Sequence, residues 1–233
     1  SLNLGIDPMF YLDTNGVTIK CRGCSAGDTG YIGNVLYTAH DNTTLAAKSA
    51  SDTDWDRVVT TLVTDMSDLF KNEASFNQDI SSWDTSNVIT FHGLFEGSSS
   101  GSFNQNISYW DTSSATDMSN MFVNQQAFNQ NLGSWNLSNI TTTYMMFRGA
   151  RGFNNGDASG VTSNTINWDT SNVTNMGYMF DGATAFNQDI GGLNVSSVTD
   201  MLYMLNAAQN FNQNLNSWNV FPKRHILRLD FSS

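Results

Sequence analysis

Apolar residues return along this chain in two alternating rhythms, and the polar residues between them return just as regularly. In the first rhythm they fall at intervals of three, three and one: Val63, Met66, Leu69, Phe70; Val88, Phe91, Leu94, Phe95; Val173, Met176, Met179, Phe180. That spacing lines one side of a helix, so it predicts a short helical segment in each case. Asn87 and Asn172 stand just before Val88 and Val173, where a side-chain oxygen can cap a helix start. One copy departs, with Thr143 where a Met would sit and Tyr144 or Met145 to compensate. The second rhythm is Phe-Asn-Gln-Asp/Asn-Ile/Leu, two variable residues, then Trp. It is too short and too polar for a helix and predicts a strand followed by a turn.

Together the two halves form a repeat of about 25 residues. It reads FNQDISSWDTSNVITFHGLF from Phe76, FNQNISYWDTSSATDMSNMF from Phe103, FNQNLGSWNLSNITTTYMMF from Phe128 and FNQDIGGLNVSSVTDMLYMLN from Phe186, with FNQNLNSWNV from Phe211. A further copy opens at Phe153, is interrupted at 154–165, and resumes as NWDTSNVTNMGYMF. Repetition at this period predicts an α/β repeat solenoid whose units bury their apolar faces on one another. Strands about 4.8 Å apart would stack six units into a body on the order of 30 Å long. Phe, Ile or Leu, and Trp83, Trp110, Trp135, Trp168 and Trp218 would point inward.

The repeat is absent before LVTDMSDLF, so the chain divides into a β-rich N-terminal cap at 9–54, the repeats at 55–220, and a C-terminal cap or truncated repeat at 221–233. Residues 1–8, SLNLGIDP, read as a cloning remnant. In the cap, Phe10–Leu12, Val17–Lys20 and Tyr31–Tyr37 read as strands between Asp-Thr-Asn-Gly and Gly-Asp-Thr-Gly turns. Ser51–Asp56 reads as the start of a helix. Cys21 and Cys24 lack further ligands at zinc-finger spacing, which leaves a local disulfide or two free thiols. No run of 18 apolar residues crosses a membrane.

FNQDISSWDTSNV…MSNMF closely resembles the repeats of BspA-like leucine-rich-repeat surface proteins of mycoplasmas, marine bacteria and some protists. The resemblance covers roughly Trp55 to Asn219, and VTIKCRGCSAGDTGYIGNVLYTA resembles the leader that precedes such arrays. It implies a leucine-rich-repeat-like right-handed coil, displayed or secreted at the cell surface for adhesion or recognition of protein or carbohydrate. It supplies no catalytic residues.

Charge and candidate chemistry narrow this further. A net charge of −11 argues against nucleic-acid backbones and anionic membranes. At Asp79, Asn106, Asn131, Asp189 and Asn214, and again at Asp84, Asp111, Asn136, Asp169, Asn194 and Asn219, Asn serves as often as Asp. A catalytic acid or base must ionise, whereas a turn needs only the shared carbonyl oxygen. Asn77, Asn104, Asn129, Asn187 and Asn212 read as a ladder satisfying backbone groups at a bend. His40, His92 and His225 are unrepeated, and no nucleophile motif accompanies them. These features predict a non-catalytic protein without cofactor. Calcium is the alternative, motivated by NNGDASG with Asn154, Asn155 and Asp157.

Two places are expected to hold specificity. One is the insertion 154–165, since added residues leave a repeat array as loops. The other is the outward row Gln78, Gln105, Gln130, Gln188 and Gln213, whose amides suit a polar polymer or protein. A structural spacer is the competing role. Ice binding, the third, needs a flat threonine file; Thr85, Thr112 and Thr170 align, but Leu137, Val195 and Val220 break the line.

Overall fold

The structure, a computed structural model, describes residues 9–218. The expectations for residues 1–8 and 219–233 lie outside them. Strand β1 (Met9–Leu12) pairs antiparallel with β2 (Ile19–Arg22) across a turn in which Asn15 Oδ1 accepts from the Val17 and Thr18 N–H groups. Strands β3 (Thr29–Ile32) and β4 (Val35–Ala39) form a second hairpin, and β5 (Val58–Val59) adds to β4 in parallel. Tyr31–Tyr37 is therefore two strands and not one. Gly33, at φ +59°, supplies the left-handed residue that folds the segment back.

Helix α1 covers Asn42–Ala46 and not Ser51–Asp56. Asp41 accepts from the Thr44 N–H while Thr44 Oγ1 accepts from Asp41 N–H, a reciprocal cap that fixes the start earlier. Around Ser51–Asp56 only a 3-10 turn at Trp55–Arg57 forms, and Lys48 pairs with Asp52 and Asp54 at 3.3 and 2.7 Å. Cys21 and Cys24 are disulfide-bonded. The cap meets the repeats through Ile19 N–H donating to Ser82 O and through Lys20, which reaches Asp13 and the buried Asp84.

The expected α/β solenoid of short strands and short helices does not form. Among the described residues the strands are those of the two small sheets, one antiparallel and one mixed, and helix is confined to α1 and the 3-10 turn. Among the described residues beyond Val59 there are only turns and isolated parallel bridges, from Asp65–Thr90 to Asn175–Asp200. The backbone states why. The segment expected to be helical carries a left-handed residue in every repeat: Asp68, Gly93, Asn120, Met145, Tyr178 and Tyr203, at φ between 56 and 61°. One such residue ends an α-helix.

The same alternation turns successive N–H groups sideways. Met66, Asp68, Phe70 and Asn72 donate to the carbonyls of Thr90, His92, Leu94 and Glu96, and the repeats that follow, through Met176 to Gly182, do likewise to the next. The expected N-cap residues follow suit. Asn87 and Asn172 donate to Thr61 and Ser138 carbonyls at 2.9 and 2.6 Å instead of capping anything, and Asn139 at the same place in its repeat donates to Ser113 O.

Between these bonds lie ladders of like side chains. Phe76, Phe103, Phe128, Phe153, Phe186 and Phe211 stack with centroids 6.0–6.1 Å apart, and Phe70, Phe95, Phe122, Phe147 and Phe180 run beside them at 5.3–5.6 Å. Offset stacking of this kind adds to the burial of each ring. Each Trp of the motif donates its indole N–H to a carbonyl of the preceding repeat, as Trp110 does to Ile80 O at 3.2 Å. The Met stripe, Met66, Met118, Met121, Met176, Met179, Met201 and Met204, is core.

Candidate functional site

The polar positions of the repeat are engaged by backbone. Asp79, Asn106, Asn131, Asp189 and Asn214 each present Oδ1 to the N–H two residues on, at 2.9–3.0 Å. The residues after Trp do the same, Asp84 to Ser86 and Asn136 to Ser138 among them. Only the carbonyl oxygen is used, which accounts for the exchange of Asp with Asn. Asn77, Asn104, Asn129, Asn154 and Asn187 each accept from the N–H of the next Asn in the row, ending at Asn212, at 2.8–2.9 Å.

The glutamine row clamps neighbouring repeats. Gln105 and Gln130 donate to the carbonyls of Asn77 and Asn104, Gln213 donates to Asn187 Oδ1, and Gln78 donates to Asp52 O. Gln188 is fully buried and donates to Asn154, Asp157 and Val161 oxygens.

The insertion 154–165 is folded by its own amides. Asn154 and Asn155 are fully buried; Asn154 Nδ2 donates to Ala158 and Val161 carbonyls, and Asn155 Oδ1 accepts from Leu132 N–H. Asp157 accepts from Ser163 Oγ and from Asn164 N–H. The Ser163 hydroxyl, with Asn164 and Gln188, holds its carboxyl below the usual carboxylate value against the opposing effect of burial. Three of the residues expected to touch a ligand therefore shape the loop.

What the folded loop builds is a groove of about 400 Å³ against the following repeat. Thr162, Asn164, Thr165 and Asn167 form one wall, with Asp189, Gly192 and Gln213 on the other. Of the glutamine row, Gln213 is the member that reaches it.

A second cluster lies on the turn side of the repeats. Ligand atoms of Asp68, His92 and Glu96 all fall within 4.8 Å of one another. Lys71 pairs with Asp68 at 3.3 Å and Glu96 at 3.4 Å, and the Asp68 contact raises the Lys71 pKa. In the sequence His92 is unrepeated and no motif surrounds it. Its partners lie four residues away and 24 residues back, brought together by the lateral register of two repeats.

A family model described as "Mycoplasma protein of unknown function, DUF285" matches residues 38–160 and 155–227. The chain belongs to the DUF285 family. No curated protein and no solved structure matches it. The DUF285 match begins at Thr38, so it takes in the last two residues of β4 together with α1, β5 and the repeats. Its description assigns no activity, and the chemistry has to come from the residues themselves. Among the described residues no helix is long and apolar enough to cross a membrane.

Proposed function

We propose that this DUF285 chain is a non-catalytic recognition module, displayed at or secreted to a cell surface, that binds a carbohydrate or similar polar polymer in the groove beside the insertion. The observation that supports this reading is that the interruption of the repeat is folded on its own hydrogen bonds and lines a concave site with amides and hydroxyls. Thr162, Thr165 and Asn167 are exposed there, opposite Asp189 and Gln213. Neutral donors and acceptors around a carboxylate suit polyhydroxylated ligands. The resemblance to BspA-like surface repeats supports the location and the adhesive role, and multivalent display would multiply weak single-site affinity.

Gly192 offers a clean test, because a Cβ placed there meets no atom within 4 Å and its φ is not in the left-handed range. Gly192→Trp should fill the groove and lower binding on a glycan array by about tenfold or more, the loss expected when a site is blocked by over 1.4 kcal/mol, with the thermal midpoint unchanged. Asn167→Ala should weaken the same hits. Hits unaffected by both variants would refute the groove, and silence of the unaltered chain on glycans and matrix proteins would favour a structural spacer.

A second reading rests on a different surface. Thr85, Thr112 and Thr170 are each 1% exposed and donate to Asp111, Asn136 and Asn194 carbonyls, so that file cannot face ice. Thr116, Thr141, Thr174 and Thr199 form an exposed file, each hydroxyl donating to the backbone of the preceding repeat at 3.1–3.3 Å. Uniformly oriented hydroxyls at a fixed rise favour an ordered lattice. Under this reading the chain depresses the freezing point below the melting point, and the double variant Thr141→Lys, Thr174→Lys abolishes the gap. No gap in a nanolitre osmometer would dismiss it.

A further inference from the structure

We propose that Asp68, His92 and Glu96 form a binding site for a divalent transition-metal ion of the zinc class, with Lys71 as the cation that competes for it. One imidazole with two carboxylates is a donor set that suits zinc, leaving a fourth position for water. The ligand atoms, within 4.8 Å of one another, need to draw in by about an ångström to reach zinc bonding distances of about 2.0–2.2 Å. Asp68 and Glu96 already converge on one cation, the Lys71 ammonium, at 3.3 and 3.4 Å.

Three observations outside the ligand set point the same way. His92 Nδ1 lies 2.7 Å from Ser119 Oγ, and that hydroxyl in turn donates to Asp117 Oδ1 at 2.5 Å. With its proton committed to the carboxylate, Ser119 accepts from Nδ1–H, which leaves the Nε2 lone pair as the imidazole's ligand atom. A carboxylate-linked partner on the non-ligating nitrogen is what fixes and strengthens a metal-binding His. Next, Gly93 opens the space. A Cβ there would stand 2.1 Å from Asp68 Oδ1 and 3.2 Å from Glu96 Oε2, so glycine lets the Asp68 carboxylate cross to the next repeat. Finally, Asn120 Nδ2 holds Glu96 Oε2 at 3.1 Å while its own Oδ1 is buried without a hydrogen-bond partner. Reversing the amide would set oxygen against the Glu96 carboxylate, so the orphaned acceptor stays, beside the cluster.

The site lies on the repeats at 63–96, away in sequence from the insertion, and does not rest on the groove reading. Chelator-stripped full-length chain titrated with ZnCl2 in a calorimeter should bind one ion per chain. His92→Ala should weaken binding by about 100-fold and Ser119→Ala by about 10-fold, the range seen for ligands and their outer partners. Lys71→Met should tighten binding several-fold, an effect that no structural role for the cluster produces. Cobalt(II) should give the intense visible bands of a four-coordinate site in the unaltered chain and in Lys71→Met, but not in His92→Ala. Absence of zinc binding in both the unaltered chain and Lys71→Met would overturn the proposal. Binding that His92→Ala leaves unchanged would mean an adventitious ion only, and would overturn it equally.

Discussion

Phe147→Ala should lower the free energy of unfolding by about 3–5 kcal/mol, the cost of deleting a fully buried aromatic ring from a core that cannot collapse. Phe147 has no exposed surface. Its ring lies 3.9 Å from Phe153, 5.3 Å from Phe122, 5.6 Å from Phe180 and 6.2 Å from Trp168, all nearly parallel to it. Those neighbours are held by ladders running through several repeats. Moving one into the void would break its register with the next, so relaxation is blocked and the cavity persists. At the end of the same array Phe211 is 7% exposed and has one described ring neighbour, Phe186. Phe211→Ala should therefore cost markedly less. Urea denaturation followed by tryptophan fluorescence measures both. A loss below about 1 kcal/mol for Phe147→Ala, under the range for buried aromatics, would show that the columns relax freely and that the stacking is not a source of stability.

The columns were legible in the sequence because one residue type recurs wherever a side chain meets its own copy in the next repeat. Phe and Trp could be placed inward from spacing alone, and the Asn row could be read as a ladder. Asp and Asn exchange at the turns because both present Oδ1, and that too could be read without coordinates. The helices could not be corrected the same way. A 3-3-1 apolar spacing fits a helix, and only the left-handed residue in its middle excludes one. Asp68, Gly93 and Asn120 are types that tolerate positive φ, but Met145, Tyr178 and Tyr203 occupy the same position and hide the signal. Tertiary hydrogen bonding of N–H groups to the next repeat overrides their preference. In the candidate groove, Gln213 was named from the row it belongs to, whereas Asn167 and Gly192 became visible only once the loop was folded. The Asp68–His92–Glu96 cluster was hidden for a related reason. It occurs once, outside the pattern that the repeats share.

Asn154→Ala should cost about 2–3 kcal/mol, since a buried polar group left unsatisfied costs about 1–3 kcal/mol and further hydrogen bonds are lost beside it. This side chain is fully buried and joins the insertion to the asparagine ladder from the inside. Its Nδ2 holds the insertion through Ala158 O at 2.6 Å and Val161 O at 2.8 Å, while its Oδ1 accepts from Asn187 N–H at 2.8 Å as a rung of the asparagine ladder. Alanine strands the Asn187 N–H and removes one donor from each carbonyl, although Ala158 O keeps the Val161 N–H and Val161 O keeps Gln188 Nε2. Asn104 makes the equivalent ladder bond to Asn129 N–H at 2.9 Å but is exposed, so water can replace its oxygen. Asn104→Ala should cost about 1 kcal/mol or less, the net value of an ordinary hydrogen bond. The difference between the two should appear in chemical denaturation, and cleavage within 154–165 by a nonspecific protease should accelerate in Asn154→Ala alone. Equal losses would place the energy in the ladder itself. A small loss at Asn154 with the loop still protected would mean that Asp157 and Gln188 suffice to fold the insertion, and the groove would then stand without the asparagine at its base.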